Sequence, residues 1–442
     1  MPSVAFTTLG CKVNQYETQQ ILESFEIAGF RVVPFTSPAD VYVINSCSVT
    51  SIAESKSRYM VRKAARTNPN AKVVLTGCAG QMANNLGKEI LGVDVWVPNP
   101  EKSDTLKYVF RKYPELEKRA AEAKPFRTLQ SKAFQGRTRA TLKIQDGCDV
   151  RCSYCSIPLT RPVMRSRPYR EVLEEARGLA TMGYREVVLT GILIGSYGQE
   201  TGSGGPGLEA LVELLAANSG LDRIRISSIE MGQVTLRLMK ALANGWAVPH
   251  LHIPLQSGDT RVLRDMNRPY TREDYLQLCE ILYEAVPDIA ITTDIMVGFP
   301  TETEARFLSS IDMCHRVGFL KGHVFRFSPR PGTAAYEWGD LVSSEEKQRR
   351  SQELMALTAE TGNAFIRRFI GRTMRVLVEG KSSKTGTLSG LTDNYIEVHF
   401  AGPGSLVRDF AYVTIEHVEG GVAFGELADE PASVHSRLYA WA

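Results

Sequence analysis

Short apolar runs and amphipathic stretches alternate along residues 1–113. Val4–Thr8, Asp40–Ile44 and Lys72–Leu75 are β-rich runs. Apolar residues recur at helical spacing over Asn14–Gly29 and Ser51–Thr67, between these runs. Strands that alternate with helices in this way predict a parallel, doubly wound sheet with helices on both faces.

The same alternation continues over residues 138–364 with more units. The predicted strands are 141–144, 186–189, 223–227, 250–253, 290–295 and 323–327. Helical periodicity lies between them, over 170–182, 208–218, 236–243, 275–285 and 305–317. Six strands that alternate with helices predict an open (β/α)6 barrel. The fold class is therefore α/β.

The pattern changes near residue 365 to short runs separated by glycine and asparagine turns. The predicted strands are 371–379, 386–391, 394–400, 405–413 and 418–427. Five short strands of this kind predict a small five-stranded β-barrel.

A cysteine follows each of the first three predicted strands. Cys11 comes after Leu9-Gly10, Cys47 after Asn45-Ser46 and Cys78 after Thr76-Gly77. Because binding sites of parallel sheets lie beyond the carboxyl ends of the strands, we expect these cysteines to meet at one edge. The sequence predicts a three-thiolate site there, and the alternative is three structural cysteines in turns.

A second set of cysteines lies in the loop after the first strand of the predicted barrel. Cys148, Cys152 and Cys155 have C-x3-C-x2-C spacing, and no second cysteine pair follows at the distance of a zinc ribbon. Three thiolates can hold three irons of a [4Fe–4S] cluster and leave the fourth iron open. The alternatives are a zinc knuckle or three core cysteines.

These motifs resemble a known family. The loop, with Tyr154 before its last cysteine, resembles the signature of the radical S-adenosylmethionine (SAM) enzymes. The segments 9–18, 45–50 and 76–79 resemble the methylthiotransferases, which are radical SAM enzymes with an N-terminal cluster domain. The opening Gly-Cys-Lys-Val-Asn is similar to the branch that acts on N6-threonylcarbamoyladenosine in tRNA.

The resemblance implies two [4Fe–4S] clusters, one on Cys11, Cys47 and Cys78 and one on Cys148, Cys152 and Cys155, with SAM as cofactor. It implies that one SAM methylates a sulfur and another yields a 5′-deoxyadenosyl radical that acts at adenosine C2. The implied partners are the tRNA anticodon stem-loop carrying the modified adenosine 37, a flavodoxin-like or ferredoxin-like reductant, and a sulfur source. Rival readings are methylthiolation of N6-isopentenyladenosine or of a ribosomal-protein aspartate, and a non-catalytic RNA-binding Fe–S protein.

Polar residues near the ends of the barrel strands are candidates for binding SAM, because parallel barrels carry their chemistry at the carboxyl rim. Such residues can instead cap helices or complete turns. With the loop tyrosine, the candidates are Tyr154, Thr190, Gly191, Ser228, Glu230, Gln256, Asp294 and Arg326.

Basic residues cluster at the start of the small barrel and are candidates for binding RNA phosphates. They are Arg367, Arg368, Arg372, Lys381 and Lys384. The segment 390–395 resembles the TRAM domain, an RNA-binding barrel found in this family. The alternative is a barrel that only packs on the core.

Composition narrows the class of protein without identifying it. The chain has 442 residues, 43% of them hydrophobic. Its net charge of +3 is too small to prove a nucleic-acid partner, and the distribution of charge is more informative than its sum. No apolar run approaches the ~20 residues of a membrane span, and no secretory signal is evident, so we expect a cytoplasmic protein without a membrane partner. The expected domains are a cluster domain over 1–113, an exposed basic linker over 114–137, the barrel over 138–364, the small barrel over 365–430 and a tail over 431–442.

Overall fold

The computed structural model describes residues 1–122, 138–199, 206–382 and 386–431. These residues form two compact units. The first unit contains the described residues up to 122 together with Asp146–Arg165 and Ser328–Glu337. The second unit contains the other described residues.

A five-stranded parallel sheet is the centre of the first unit. Its strands are β1 (Ser3–Thr8), β2 (Arg31–Val33), β3 (Val41–Ser46), β4 (Lys72–Gly77) and β5 (Val95–Trp96). The spatial order is β2-β1-β3-β4-β5, so the winding direction reverses between β1 and β3. This reversal is the switch point at which doubly wound sheets bind their ligands. The predicted sheet is confirmed, with β2 and β5 as additional short edge strands.

Helices cover both faces of this sheet. They are α1 (Lys12–Ile27), α2 (Ser51–Thr67), α3 (Cys78–Asn85), α4 (Thr105–Lys112) and α5 (Pro114–Glu122). Val41 and Val43 pack toward α1, α4 and α5, whereas Tyr42 and Ile44 pack toward α2. Because both faces are covered, every residue of β3 is buried, and its first four residues form a continuous apolar run.

Part of the predicted linker belongs to the first unit. Helix α5 is built from its first nine residues. Leu116 and Ala120 of α5 are buried in the same core as α1 and α4, so this part of the interval is not an exposed linker. The apolar residues four apart on one helical face explain the difference. The rest of the predicted linker, 123–137, lies outside the described residues.

Two three-stranded parallel sheets form the core of the second unit. The next strands of the chain are β6 (Arg139–Lys143), β7 (Gln145–Asp146), β8 (Arg165–Ser166), β9 (Glu186–Thr190), β10 (Arg223–Ile226), β11 (His250–His252), β12 (Ala290–Val297) and β13 (Lys321–Arg326). The orders are β10-β9-β6 and β11-β12-β13, and a parallel bridge between Ser228 and His252 joins the two sheets. The six strands of the predicted (β/α)6 barrel are therefore present.

Helices follow the barrel strands at the predicted positions. The remaining helices are α6 (Ile157–Thr160), α7 (Tyr169–Thr181), α8 (Leu208–Asn218), α9 (Leu236–Ala243), α10 (Thr260–Asp265), α11 (Arg272–Ala285), α12 (Glu304–Val317), α13 (Ala334–Glu337) and α14 (Ser344–Arg367). Five of these helices, α7, α8, α9, α11 and α12, lie where periodicity predicts them, whereas α6, α10, α13 and the long helix α14 are not predicted. Within the described parts of the chain, no helix combines the length and apolarity needed to cross a membrane.

The last five strands close a small barrel. They are β14 (Thr373–Lys381), β15 (Leu388–Thr392), β16 (Glu397–Phe400), β17 (Phe410–Glu419) and β18 (Val422–Ala428), in the order β14-β15-β16-β18-β17. The five-stranded barrel is confirmed, but the predicted boundary between the last two strands is wrong. Gly420 and Gly421 both have positive φ and form the turn, so β17 extends to Glu419.

Two buried arginines attach the small barrel to the base of the large one. Arg223 donates to the carbonyl oxygens of Leu391 at 3.0 Å and Arg375 at 2.9 Å. Arg225 donates to Glu186 at 2.7 Å and to the carbonyl of Asp393 at 3.1 Å. Both arginines are nearly inaccessible to solvent, and they satisfy carbonyls at the barrel end that would otherwise be buried without partners.

Candidate metal centres

The first three cysteines lie at the carboxyl edge of the sheet in the first unit. Cys11 and Cys47 follow the neighbouring strands β1 and β3, on either side of the switch point, and Cys78 begins α3 directly after β4. Their thiols form no disulfide, and they are close enough to influence one another electrostatically.

Glycines bring the turns of this edge together. Gly10 has φ +92°, and a Cβ added there would lie 2.7 Å from Cys47 Sγ. Gly77 has φ +90°, and a Cβ there would lie 2.4 Å from the Ser46 carbonyl oxygen. An L side chain at either position would be strained and would push the cysteine turns apart.

Burial controls the protonation of two of these thiols. Desolvation raises the pKa of Cys11, although part of this residue is exposed, and raises the pKa of Cys47 to about 11. Cys11 and Cys47 therefore hold their protons at neutral pH, and a bound metal would have to displace them. The Asn99 side-chain amide lies 3.8 Å from Cys78 Sγ and can donate to it.

A buried polar network lies behind these cysteines. The Lys102 ammonium donates to Glu17 at 2.7 Å, to Asn45 at 3.2 Å and to Asn14 at 3.4 Å. Burial lowers the pKa of Lys102, and the charge of Glu17 opposes that shift. The Asn14 amide also donates to the carbonyls of Leu9 and Ser46, which fixes the turns before Cys11 and Cys47.

Arg161 joins the same network from the loop of the second cysteine set. Its guanidinium donates to Glu17 at 2.7 and 2.9 Å, to Asn14 at 3.0 Å and to Asp146 at 2.6 Å. Burial alone would lower the pKa of Arg161, but Glu17 and Asp146 raise it well above its usual value. Two acids and two cations thus balance one another in a buried position, where an unpaired charge would be costly.

The loop of the second cysteine set is part of the first unit. Asn85 donates to the Leu159 carbonyl at 2.7 Å, and Asn99 donates to the Thr160 carbonyl at 2.9 Å. With the Arg161 contacts, these bonds hold the loop against the N-terminal sheet. Both cysteine sets are consequently carried by one structural unit.

Local bonds shape this second loop. The Cys148 amide donates to the Arg161 carbonyl at 3.3 Å, and the Cys155 amide donates to the Cys152 carbonyl at 3.1 Å. Gly147 has φ +80°, and a Cβ there would lie 2.0 Å from the Val163 carbonyl oxygen. The three cysteines and Tyr154 are all partly accessible, as a site that admits a second molecule requires.

Each set offers three thiols, which is a donor set that a [4Fe–4S] cluster can use. Across the described residues, no three His, Cys, Asp or Glu side chains could hold one ion together. A [4Fe–4S] cluster binds each thiolate through a different iron, so its ligands stand farther apart than the ligands of one ion. If the first set holds a cluster, Asn99 would donate to its Cys78 ligand, and the missing side chain at Gly10 would leave room beside its Cys47 ligand.

Most candidate SAM residues lie at the ends of the barrel strands in the second unit. Thr190 ends β9, and Gly191 follows it, where a Cβ would lie 3.0 Å from Gln145 Oε1. Ser228 follows β10, and Arg326 ends β13. Gln256 follows β11 with φ +63°. Their roles in SAM binding stay predictions.

Two of these candidates already have protein partners. Glu230 forms an ion pair with Arg268, which packs over the ring of Tyr270. Asp294 lies 3.2 Å from His252 Nε2. Because β12 extends beyond its predicted end to Val297, Asp294 is inside the strand and not at its end.

The basic residues of the small barrel differ in what they contact. Arg372 forms an ion pair with Asp288 at 2.5 Å, and Arg368 donates to the Pro287 carbonyl at 2.9 Å. These two side chains therefore help attach the small barrel. Arg367 and Lys381 are exposed, whereas Lys384 lies outside the described residues. Binding of RNA by this set stays a prediction.

Sequence reasoning missed the residues behind the cysteines. Asn14 and Glu17 lie in the motif 9–18, but no role followed from it. Lys102 and Arg161 carried no signal, because a lysine or arginine in an irregular segment normally predicts an exposed side chain. Asn99 lies in a 3-10 helix, Asn99–Asp104, that periodicity does not reveal.

Three family models match the chain in succession. The Radical SAM superfamily matches residues 142–314, the Uncharacterized protein family UPF0004 matches residues 3–98, and the TRAM domain matches residues 367–428. A solved structure of TsrM, a radical SAM methyltransferase from Kitasatospora setae with cobalamin and a [4Fe-4S] cluster, has a TM-score of 0.52 at 14% identity and covers 76% of this chain and 77% of its own. The fold and the cysteine loop thus define a radical SAM enzyme, a class that uses a [4Fe–4S] cluster and SAM.

Two relatives align over nearly the whole chain. Threonylcarbamoyladenosine tRNA methylthiotransferase MtaB of Bacillus subtilis (strain 168) is 36% identical over 99% of this chain and 100% of its own length. The tRNA-2-methylthio-N(6)-dimethylallyladenosine synthase of Geobacillus thermodenitrificans (strain NG80-2) is 33% identical over 97% of this chain and 84% of its own. The chain belongs to the radical SAM methylthiotransferase family.

Proposed function

We propose that this protein is a tRNA methylthiotransferase that converts N6-threonylcarbamoyladenosine at position 37 to its 2-methylthio derivative. The observation that carries the proposal is the pair of cysteine triads held by one unit, with the MtaB-type relatives indicating the substrate. Transfer of a methylthio group to an unactivated adenine carbon needs a radical source and a sulfur source. Two clusters would provide these two sources, one for the radical and one for the sulfur.

In this proposal each triad has its own role. Cys148, Cys152 and Cys155 would hold a cluster that supplies the electron for SAM cleavage, and the other triad would hold a cluster that supplies sulfur. Asn99 donates a hydrogen bond to Cys78, and the Glu17 network holds the turns and the loop in place. The target adenosine must leave its stack to be modified, which is usual for single-stranded RNA.

Iron content tests the two-cluster model. Anaerobically reconstituted protein should contain about eight irons, from two clusters of four. Replacement of Cys148, Cys152 and Cys155 by alanine should leave about half. An unchanged iron content in that triple variant would contradict the model. A Cys47→Ala variant should still release 5′-deoxyadenosine from SAM yet transfer no methylthio group.

The substrate is tested separately. Nucleoside mass spectrometry of tRNA from a strain lacking the gene should show loss of the 2-methylthio derivative of N6-threonylcarbamoyladenosine, and expression of the protein should restore it. Restoration of the N6-isopentenyladenosine derivative alone would favour the second candidate function, which the Geobacillus relative supports. Loss of neither derivative would leave a ribosomal-protein substrate. Failure to cleave SAM at all would favour a non-catalytic Fe–S protein.

The proposal also includes a cellular location and partners. We expect the protein to act in the cytoplasm, where tRNA is modified, with a flavodoxin-like or ferredoxin-like reductant and a sulfur source as partners. Arg367 and Lys381 are expected to contact tRNA phosphates, because they are exposed basic residues on the matched TRAM region.

A further inference from the structure

Helix α2 of the first unit has one buried and one exposed face. Ser57, Val61 and Ala64 pack toward the sheet. The solvent-exposed face, here called the α2 stripe, is formed by Ile52, Ser55, Lys56, Tyr59, Arg62, Lys63 and Arg66. At ~3.6 residues per turn, these positions fall within about a third of the helix circumference. They form one continuous surface.

The α2 stripe has four cations and no acid. Lys56, Arg62 and Arg66 are exposed, Lys63 is half-buried, and none of the four forms an ion pair within the part of the chain that the structure describes. The only acid of α2 is Glu54, which lies off the stripe and pairs with Arg58 of the same helix and with Arg330. The positive charge of the stripe is therefore uncompensated.

Aromatic surface lies between these cations. Tyr59 is 49% exposed and stands between Lys56 and Arg62 or Lys63 along the stripe. An exposed ring flanked by cations is the arrangement with which proteins bind single-stranded nucleic acid, because bases stack on the ring while cations contact phosphates. An acidic protein would use the cations but would leave the ring without a specific role.

The position of the stripe agrees with such a ligand. Helix α2 begins four residues after Cys47, and the Ser57 hydroxyl accepts from the Cys47 amide at 3.2 Å. From this edge the helix extends roughly 25 Å, at ~1.5 Å per residue. A polyanion bound along α2 would thus have one end beside the first cysteine triad.

We propose that the α2 stripe binds the substrate tRNA, with its cations on the phosphate backbone and Tyr59 stacked on an unpaired base. The inference rests on the proposed function, since it takes tRNA as the substrate. It adds a binding surface on the N-terminal unit to the one expected on the TRAM region.

Salt-dependent binding of tRNA by the full-length holoprotein tests the cations. The variant Lys56→Gln, Arg62→Gln, Arg66→Gln should weaken binding and reduce the salt slope by about 2–3, at roughly 0.7–0.9 per lost phosphate contact. The matched control is Arg31→Gln, Lys88→Gln, Lys107→Gln, which removes the same charge from exposed positions of the same unit outside α2. The control should keep the slope. An equal loss in both variants would overturn the proposal.

A second pair of variants tests the ring. Tyr59→Leu should weaken tRNA binding about tenfold, whereas Tyr59→Phe should bind like the wild type. Equal affinity of the leucine and phenylalanine variants would overturn the stacking role.

The outcomes separate this inference from the proposed function. A wild-type protein that does not bind tRNA contradicts the proposed function itself. If the wild type binds tRNA and the triple stripe variant binds it equally tightly, only the inference is contradicted. Unchanged tRNA affinity with slower reduction by an acidic flavodoxin-like protein would assign the stripe to a protein partner and also overturn the inference.

Discussion

Replacement of Glu17 by glutamine is expected to destabilise the first unit by about 3–5 kcal/mol. Glu17 accepts from Lys102 at 2.7 Å and twice from Arg161, and the exposures of the three side chains are 6%, 6% and 3%. Asp146 still pairs with Arg161 in the variant, so one positive charge remains buried without a partner. That unpaired charge, and not the lost bonds, dominates the expected cost.

A double variant tests this explanation. Lys102→Met removes one cation but leaves Glu17 paired with Arg161, so its cost should be smaller, about 1–3 kcal/mol. Glu17→Gln combined with Lys102→Met restores the charge balance. The double variant should therefore cost less than the sum of the single variants, by about 1–3 kcal/mol.

Hydrogen exchange read by mass spectrometry is a suitable assay, because it reports local opening of α1 and of the segment Asn99–Asp104. A loss of about 3–5 kcal/mol corresponds to roughly two to four orders of magnitude in the opening constant. Glu26→Gln on the same helix is the control, since no ion pair of Glu26 is present among the described residues. Unchanged protection in Glu17→Gln, or costs that simply add in the double variant, would refute the reasoning.

Two further predictions concern the first triad and helix α14. Gly10→Ala should lower the iron content, because its Cβ would lie 2.7 Å from Cys47 Sγ. The control Gly183→Ala also has positive φ but lies in open space, so its iron content should not change. Equal iron loss in both variants would point to backbone strain alone. Hydrogen bonds from Arg349 lower the pKa of Glu346 from 4.5 to about 2. The stability contributed by this carboxylate is present above pH 4.5 and is lost as the pH falls toward 2. The melting temperature of Glu346→Gln should therefore depend less on pH in this window than that of the wild type. An identical pH dependence of the two proteins would contradict the assignment.

The sequence by itself determined the periodic elements of this protein. Helices α8 and α9 begin and end where apolar spacing predicts, because a helical face that packs on a sheet must repeat every three to four residues. The strands before Cys11, Cys47 and Cys78 were equally visible, since strands buried on both faces are continuous apolar runs. The order of strands and helices then implied that the three cysteines share one edge, before any contact was known.

Only the tertiary structure decided how the charged residues pair. Glu17 and Lys102 are 85 residues apart, and Glu17 and Arg161 are 144 residues apart. Arg372 and Asp288, which attach the small barrel, are 84 residues apart. No periodic pattern in the sequence shows that a charged side chain is buried, so the sequence predicts these side chains at the surface. Only the folded chain brings the opposite charge close enough to make burial possible. The tertiary structure also determines the two-residue strand β5. This strand forms because it pairs with β4, and not because its residues have a strong strand propensity.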